Sequence, residues 1–194
     1  MKTRGGILVI GAAALIGLLT GCASSTAPTS TASSEPSPLP SATAEASAAE
    51  LEAQQRADMW LETTPVPPGA VRSEKSTSDE FAMSFQGWVC TPTLTATGYW
   101  SVEGMSTVEA LNWMKEHPTP GLVPNFPAPL TDEGGYDNVT TGVTPGGDSF
   151  EGIAFTYVTT PEGSAIRAEV GATPVDAVCP TPPGGGSWGR PGEG

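Results

Sequence analysis

Residues 150–173 read FEGIAFTYVTTPEGSAIRAEVGAT, and this stretch decides the fold class. Along Ala165–Thr173, apolar residues alternate with Arg, Glu, Gly and Thr, which is typical of a half-buried β-strand. The run Phe150–Val158 predicts a second strand, and TPEG at Thr160–Gly163 predicts the turn that joins them. The stretch therefore predicts a β-hairpin within an antiparallel sheet.

A helix is predicted upstream of this hairpin. Ser106 begins the sequence STVE, a capping box in which Ser106 and Glu109 each bind the backbone amide of the other. Pro118 cannot continue the helical hydrogen bonds, so the helix ends before it. The residues close to one apolar face of this helix are Val108, Leu111 and Met114. A second helix is predicted over 46–61, where the helix propensity is good but the apolar face is thin.

The remaining chain completes the predicted domain. Runs 81–90, 95–103 and 138–144 favour further strands. About five strands and one or two packed helices predict an α+β fold with a small antiparallel sheet. Residues 50–179 are long enough for a single globular domain, and the Pro/Gly-rich residues 180–194 predict a disordered tail.

The N-terminus has the layout of a secretory signal peptide. Lys2 and Arg4 precede the apolar run Ile7–Leu19, which is shorter than the roughly 20 residues of a transmembrane helix. The following residues Leu19-Thr20-Gly21-Cys22 resemble the lipobox of bacterial lipoproteins. The alternative interpretation is an uncleaved anchor helix that ends at an ordinary cysteine. Both interpretations place the rest of the chain outside the cytoplasm.

The lipobox resemblance implies that a type II signal peptidase removes residues 1–21. The sulfur of Cys22 would carry a diacylglyceryl group, and acyl chains such as palmitate would anchor the protein at the extracytoplasmic face of the cell membrane. Residues 22–49 would then form the lipidated N-terminus and a disordered tether. From 23 to 49 every residue is Ala, Ser, Thr or Pro except for Glu35, Leu39 and Glu45. Such a composition buries too little apolar surface to fold.

The charge balance restricts the partners. Removal of Lys2 and Arg4 with the leader leaves six basic and 21 acidic residues, a net charge of −15. Nucleic acid and anionic lipid headgroups both attract basic proteins, so neither is an expected partner of this domain. The membrane is reached through the lipid anchor alone.

Two cysteines remain after lipidation of Cys22. Outside the cytoplasm, two thiols in one domain most often pair, so Cys90 and Cys179 are predicted to form a disulfide. The alternative, a reactive thiol, would need an activating base, and His117 is the only histidine in the sequence.

The sequence offers one weak candidate for a catalytic triad. His117 could act with Ser149 and Asp148 as the triad of an envelope hydrolase. The motif GDSFEG at 147–152 lacks the spacing of a nucleophile elbow, however, and Gly-Asp-Ser is typical of a turn. His117 also lies where a cation caps the end of the predicted helix. We therefore predict no catalytic residue.

Two further groups of side chains have alternative interpretations. Oxygen ligands for calcium are offered by Asp132, Glu133, Asp137 and Asn138, but a solvated acidic turn is favoured because the spacing of an EF-hand is absent. No metal or cofactor is predicted. The sequence also contains the aromatic residues Trp88, Tyr99, Trp100 and Trp113. They could stack on glycan rings, form a protein interface or pack in the core, and core packing is favoured in so small a domain. Trp188, in the tail, could dock on the domain or on a partner.

These observations predict a non-enzymatic binding or accessory domain that engages a protein or cell-wall ligand of the envelope. One alternative is the hydrolase that uses His117 and Ser149. Another is an inhibitor or chaperone-like partner of an exported enzyme.

Overall fold

The structure is a computed structural model that describes residues 46–83, 85–131 and 135–193. Within these ranges two α-helices pack on one six-stranded sheet whose neighbouring strands are all antiparallel. The helices are α1 (Ala48–Thr63) and α2 (Thr107–Glu116). The strands are β1 (Val71–Ser73), β2 (Leu94–Glu103), β3 (Val123–Pro124), β4 (Asn138–Thr144), β5 (Gly152–Thr160) and β6 (Gly163–Ala172). Their order in the sheet is β1-β2-β6-β5-β4-β3.

The hairpin predicted from residues 150–173 forms the centre of the sheet. Strands β5 and β6 pair down to Thr160 and Gly163, which leaves Pro161 and Glu162 as the loop. Along its other edge, β6 pairs with the whole length of β2. Because β6 has a full partner on both sides, it is the strand on which the rest of the sheet is built.

The predicted α+β class with an antiparallel sheet is confirmed, but the sheet has six strands rather than about five. The runs 95–103 and 138–144 form strands as predicted. The run 81–90 does not, because its chain forms a short 3₁₀-helix at Asp79–Met83 and then crosses one face of the sheet. The additional strands β1 and β3 lie at the two edges and are too short to show a periodic pattern.

Both helices begin with a capping box. In α2 the hydroxyl of Ser106 accepts from the Glu109 amide at 3.2 Å, and the Glu109 carboxylate accepts from the Ser106 amide at 2.8 Å, as predicted. This bonding lowers the pKa of the Glu109 carboxyl. In α1, which forms over most of the helix predicted at 46–61, the pair is Ser47 and Glu50.

One face of the sheet, the helix face, carries the main core. Both helices pack here against alternate residues of the central strands. Trp100 of β2 and Trp60 of α1, which are 4% and 6% exposed, contribute the two largest buried side chains of this core. The buried strand residues of this face include Ile153, Phe155, Ile166, Ala168 and Val170.

The opposite face, which we call the polar face, is also covered. Phe81 is buried here against Val158 and Ala165, and the ring of Trp88 lies over Gly171. A Cβ at residue 171 would come within 2.5 Å of the Trp88 ring, so this position requires glycine. The sequence predicts a half-buried β6, but the chain that crosses this face buries both sides of the strand.

Arg167 of β6 is the central residue of the polar face and is only 2% exposed. Its guanidinium donates to the carbonyl of Phe81 and lies 2.8 Å from the Glu169 carboxylate and 3.2 Å from the Thr156 hydroxyl. Glu169 also accepts from the backbone amide of Gln86 at 3.1 Å. This ion pair therefore holds Phe81 and Gln86 against the sheet.

Cys90 and Cys179, the pair predicted to form a disulfide, lie with their sulfur atoms 2.04 Å apart. Next to them Thr91 and Val178 exchange two backbone hydrogen bonds of 2.9 Å. The link joins the segment that enters β2 to the segment that leaves β6.

We expect the Cys90→Ser/Cys179→Ser double variant to lose about 4–5 kcal/mol of unfolding free energy, because the disulfide closes a loop that spans 89 residues. Urea unfolding followed by circular dichroism measures this difference. The reduced wild-type chain should match the double variant. A loss below about 1 kcal/mol would show that the link does not restrain the unfolded chain.

The hydroxyl of Tyr157 is the most deeply buried polar group of the helix face. Tyr157 is completely buried, and its oxygen has no hydrogen-bond partner among the described residues. Burial accordingly raises the pKa of this hydroxyl. A buried polar group without a partner costs free energy, because it has lost its bonds to water.

We therefore expect Tyr157→Phe to raise the free energy of unfolding by about 1 kcal/mol. The matched control is Thr64→Val, which removes a hydroxyl that donates to the Trp60 carbonyl at 2.7 Å. This control should lower stability by about 1 kcal/mol. Urea unfolding separates the two cases, and destabilisation by both variants would contradict the expectation.

Candidate functional site

The structure places His117 at the C-terminal cap of α2. Its backbone amide donates to the carbonyls of Trp113 and Met114, and its ring Nδ1 lies 2.7 Å from the Trp113 carbonyl. The imidazole also stacks on the Trp113 indole at 4.0 Å. These contacts give His117 a role in ending the helix.

Ser149 lies in the turn between β4 and β5. Its hydroxyl is 3.3 Å from both the amide and the carbonyl of Glu151, so it organises this turn. Among the described residues, no hydrogen bond joins Ser149 or Asp148 to His117. The structure does not bring the three residues of the hypothetical triad together by hydrogen bonding.

The calcium hypothesis falls partly outside the described residues, because Asp132 and Glu133 are not among them. The backbone carbonyl of Asp137 accepts from Thr159, and Asn138 begins β4. In the described part of the chain, no group of three or more His, Cys, Asp or Glu side chains is arranged to hold a metal ion. Cys22 and residues 1–21 also lie outside the described ranges.

The four aromatic residues of the predicted core pack within the domain. Trp100 is buried, and Trp113 packs against the main core beneath the helices. Tyr99 lies 6.0 Å from the ring of Phe81 on the polar face, where Trp88 covers Gly171. The core interpretation of these residues matches their positions. Trp188 differs from them, because 39% of its surface is exposed.

In the tail, residues 180–193, only the last residues lie against the polar face of the sheet. The Asn125 side chain donates to the Pro191 carbonyl at 2.7 Å. The Gly192 amide donates to the Gln86 side chain at 3.0 Å. Pro191 and Gly192 are both buried. These bonds join tail backbone to distant side chains, so composition alone does not reveal them.

Two glycines allow the tail to approach the sheet. A Cβ on Gly142 of β4 would lie 1.8 Å from the Pro191 carbonyl oxygen. Gly192 has a φ of +77°, and a Cβ there would lie 2.3 Å from the backbone of Thr141. Any larger residue at either position would push the tail off the sheet.

An ion pair shapes the end of the tail. Arg190 Nε lies 2.9 Å from the Glu193 carboxylate, which also accepts from the Arg190 amide at 3.0 Å. These bonds lower the pKa of Glu193. The pair is therefore present above the ordinary pKa of a glutamate, and it is lost as the pH falls through the lowered value.

In two cavities, the charged side chains that line the wall form structural contacts within the domain. The first, of about 340 Å³, lies over Arg167 and Glu169, which bind each other and the segment 81–86. The second, of about 630 Å³, contains Arg56, which lies 3.0 Å from Glu151 and 2.7 Å from the Thr173 carbonyl. In both cavities the charges connect segments of the domain to each other.

A third cavity, which we call the tail cavity, has a volume of about 640 Å³. The tail and the turn between β4 and β5 form its walls. The Trp188 Nε1 atom donates to the Pro180 carbonyl at 2.7 Å, and this bond holds the indole in place. The side chains of Asp148, Phe150, Thr181, Ser187, Arg190 and Glu193 also line the cavity. Its size is within the range of small-molecule binding sites, as is that of the other two, and it is the candidate functional site because a partly exposed indole lines it.

The sequence indicates only part of this site. Trp188 stands out as the one large apolar residue of a Pro/Gly-rich tail. Asp148 belongs to the motif GDSFEG, which suggests catalysis only weakly, and it lines the same cavity as Trp188. The cavity depends on tail contacts to Asn125 and Gln86, and no local pattern predicts contacts of such long range.

Comparison of the chain with protein-family models, with curated proteins and with solved structures finds no match. None of the helices in the described ranges has the length and apolar character of a membrane span.

We expect Gly142→Ala to detach the tail while the sheet stays folded, because the new methyl group would overlap the Pro191 carbonyl. Amide exchange followed by NMR should show that the Gly192 amide exchanges about tenfold faster or more, whereas the β6 amides stay protected. The control is Gly87→Ala, since a Cβ at residue 87 meets nothing within 4 Å. Equal Gly192 exchange in both variants would refute tail docking.

Proposed function

We propose that this chain is a lipid-anchored, non-enzymatic binding domain at the extracytoplasmic face of the cell membrane. The observation that supports export most directly is the Cys90–Cys179 pair at disulfide distance, because such bonds persist mainly outside the cytoplasm. In this proposal Cys22 carries the lipid, and residues 22–49 link it to the domain.

The free energy of burying acyl chains in the membrane would hold the anchor. Each buried methylene group of an acyl chain contributes about 0.8 kcal/mol, and a single chain binds a membrane only reversibly. A diacylglyceryl group on the Cys22 sulfur supplies two chains, which makes anchoring stable. The acidic domain would gain little from anionic headgroups, so the lipid would carry the attachment.

The tail cavity supports a binding role for the domain. It combines the partly exposed indole of Trp188 with the ion pair of Arg190 and Glu193, and hydrogen bonds within the protein hold both in place. Fixed groups lose little conformational entropy when a ligand binds, which favours recognition. The hydroxyl of Ser149 is instead used within its own turn.

The anchor can be tested by growth of cells that express the full chain with tritiated palmitate. We expect label in the wild-type protein and none in Cys22→Ala, because that change removes the only atom to which the lipid is bonded. Gel electrophoresis and autoradiography measure the label.

The matched control is Cys90→Ala, which removes a different cysteine and should keep the label. Label that persists in Cys22→Ala would refute the anchoring site. A mature protein that begins at Met1 would refute cleavage after Gly21.

A further inference from the structure

We infer that the tail cavity binds a neutral glycan. This inference rests on the proposed function, since it names the ligand class of the proposed binding domain. The argument uses the exposed indole, the hydrogen-bonding groups around it and the charge of the cavity.

The indole of Trp188 provides an apolar platform. Its Nε1 atom is already bonded to the Pro180 carbonyl at 2.7 Å, so the ring is held while 39% of the residue remains exposed. A sugar ring has an apolar side formed by its C–H groups, and this side covers an aromatic face well. A fixed aromatic ring offers this contact area at low entropic cost.

A sugar also needs hydrogen-bonding partners for its hydroxyl groups. Arg190 and Glu193, which line the same cavity as Trp188, form an ion pair with Arg190 Nε 2.9 Å from the Glu193 carboxylate. The exposed carboxylate of Asp148 accepts hydrogen bonds, and the hydroxyls of Thr181 and Ser187 both donate and accept. Sugar hydroxyls also donate and accept, so they match this mixed set.

The charge of the cavity selects among polar ligands. Its ionisable side chains are Asp148, Arg190 and Glu193, which together carry a net negative charge. Anionic polymers are disfavoured by this charge and by that of the whole chain, which is −13. A cationic ligand would meet Arg190 in the wall, and the Glu193 carboxylate is already engaged by it. A neutral ligand avoids both conflicts.

The size of the cavity agrees with a short oligosaccharide. A volume of about 640 Å³ is in the middle of the range for small-molecule sites. The cavity also borders the exposed residues of the tail, so a longer chain could extend beyond it.

The test is a titration of the full chain, purified in detergent, with three neutral oligosaccharides: chitotetraose, cellotetraose and maltotetraose. We expect saturable binding of at least one, measured by calorimetry. Trp188→Ala should weaken this binding about tenfold or more, because it removes the platform. Asp148→Asn should weaken it about threefold, because it removes a charged acceptor at an exposed position.

The matched control is Tyr136→Ala, which removes an aromatic ring of similar exposure, 41%, outside the tail cavity. It should leave the affinity unchanged. Thermal unfolding of each variant verifies that the domain is folded.

Three results would overturn the inference: no binding of any of the three sugars, equal affinity in Trp188→Ala, or binding of tetralysine in place of the sugars. If palmitate labels the wild-type protein but not Cys22→Ala, any of these three results rejects the glycan inference and leaves the anchor proposal standing. If the wild-type protein binds a sugar but takes up no palmitate label, only the anchor proposal is rejected.

Discussion

The pairing of Arg167 with Glu169 on a covered face of the sheet is the interaction on which the rest of the structure depends. A buried charge without partners costs several kcal/mol, so the guanidinium must be surrounded by acceptors. The Phe81 carbonyl and the Glu169 carboxylate supply them. Since Phe81 belongs to the 3₁₀-helix Asp79–Met83, this requirement fixes that helix to the sheet. Loss of the Arg167 charge would remove the cation that lies against the Glu169 carboxylate on this face.

The same pair reaches the candidate site through a short series of contacts. Glu169 binds the backbone amide of Gln86, and the side chain of Gln86 accepts from the amide of Gly192. The tail that Gly192 belongs to carries Trp188 and one wall of the tail cavity. The shape of the cavity therefore depends on a charge pair at the centre of the sheet.

Sequence patterns predict what is local in this fold, including the central hairpin and the α2 capping box. The alternation along β6 indicates which residues share a face, but it does not show that another segment covers Arg167. Segment 81–90 resembles a strand because Phe81, Phe85 and Trp88 are large and apolar, yet these residues belong to a segment that lies across the sheet. The sequence does not predict the tail cavity, because the contacts that hold the tail in place are made by backbone atoms of a Pro/Gly-rich segment.

The position of Cys179 has a kinetic consequence for the tail. Gly192 follows Cys179 by only 13 residues, so an undocked tail would explore a radius of roughly 20 Å around the sulfur bridge. Such confinement corresponds to an effective concentration in the millimolar range, and re-docking is an intramolecular event. Reduction of the bridge would free Cys179 from Cys90, and the effective concentration of the tail at its docking surface would fall. The reduced tail would still be attached at Ala172, 20 residues before Gly192, so its effective concentration would fall only about twofold and the bridge adds a modest restraint.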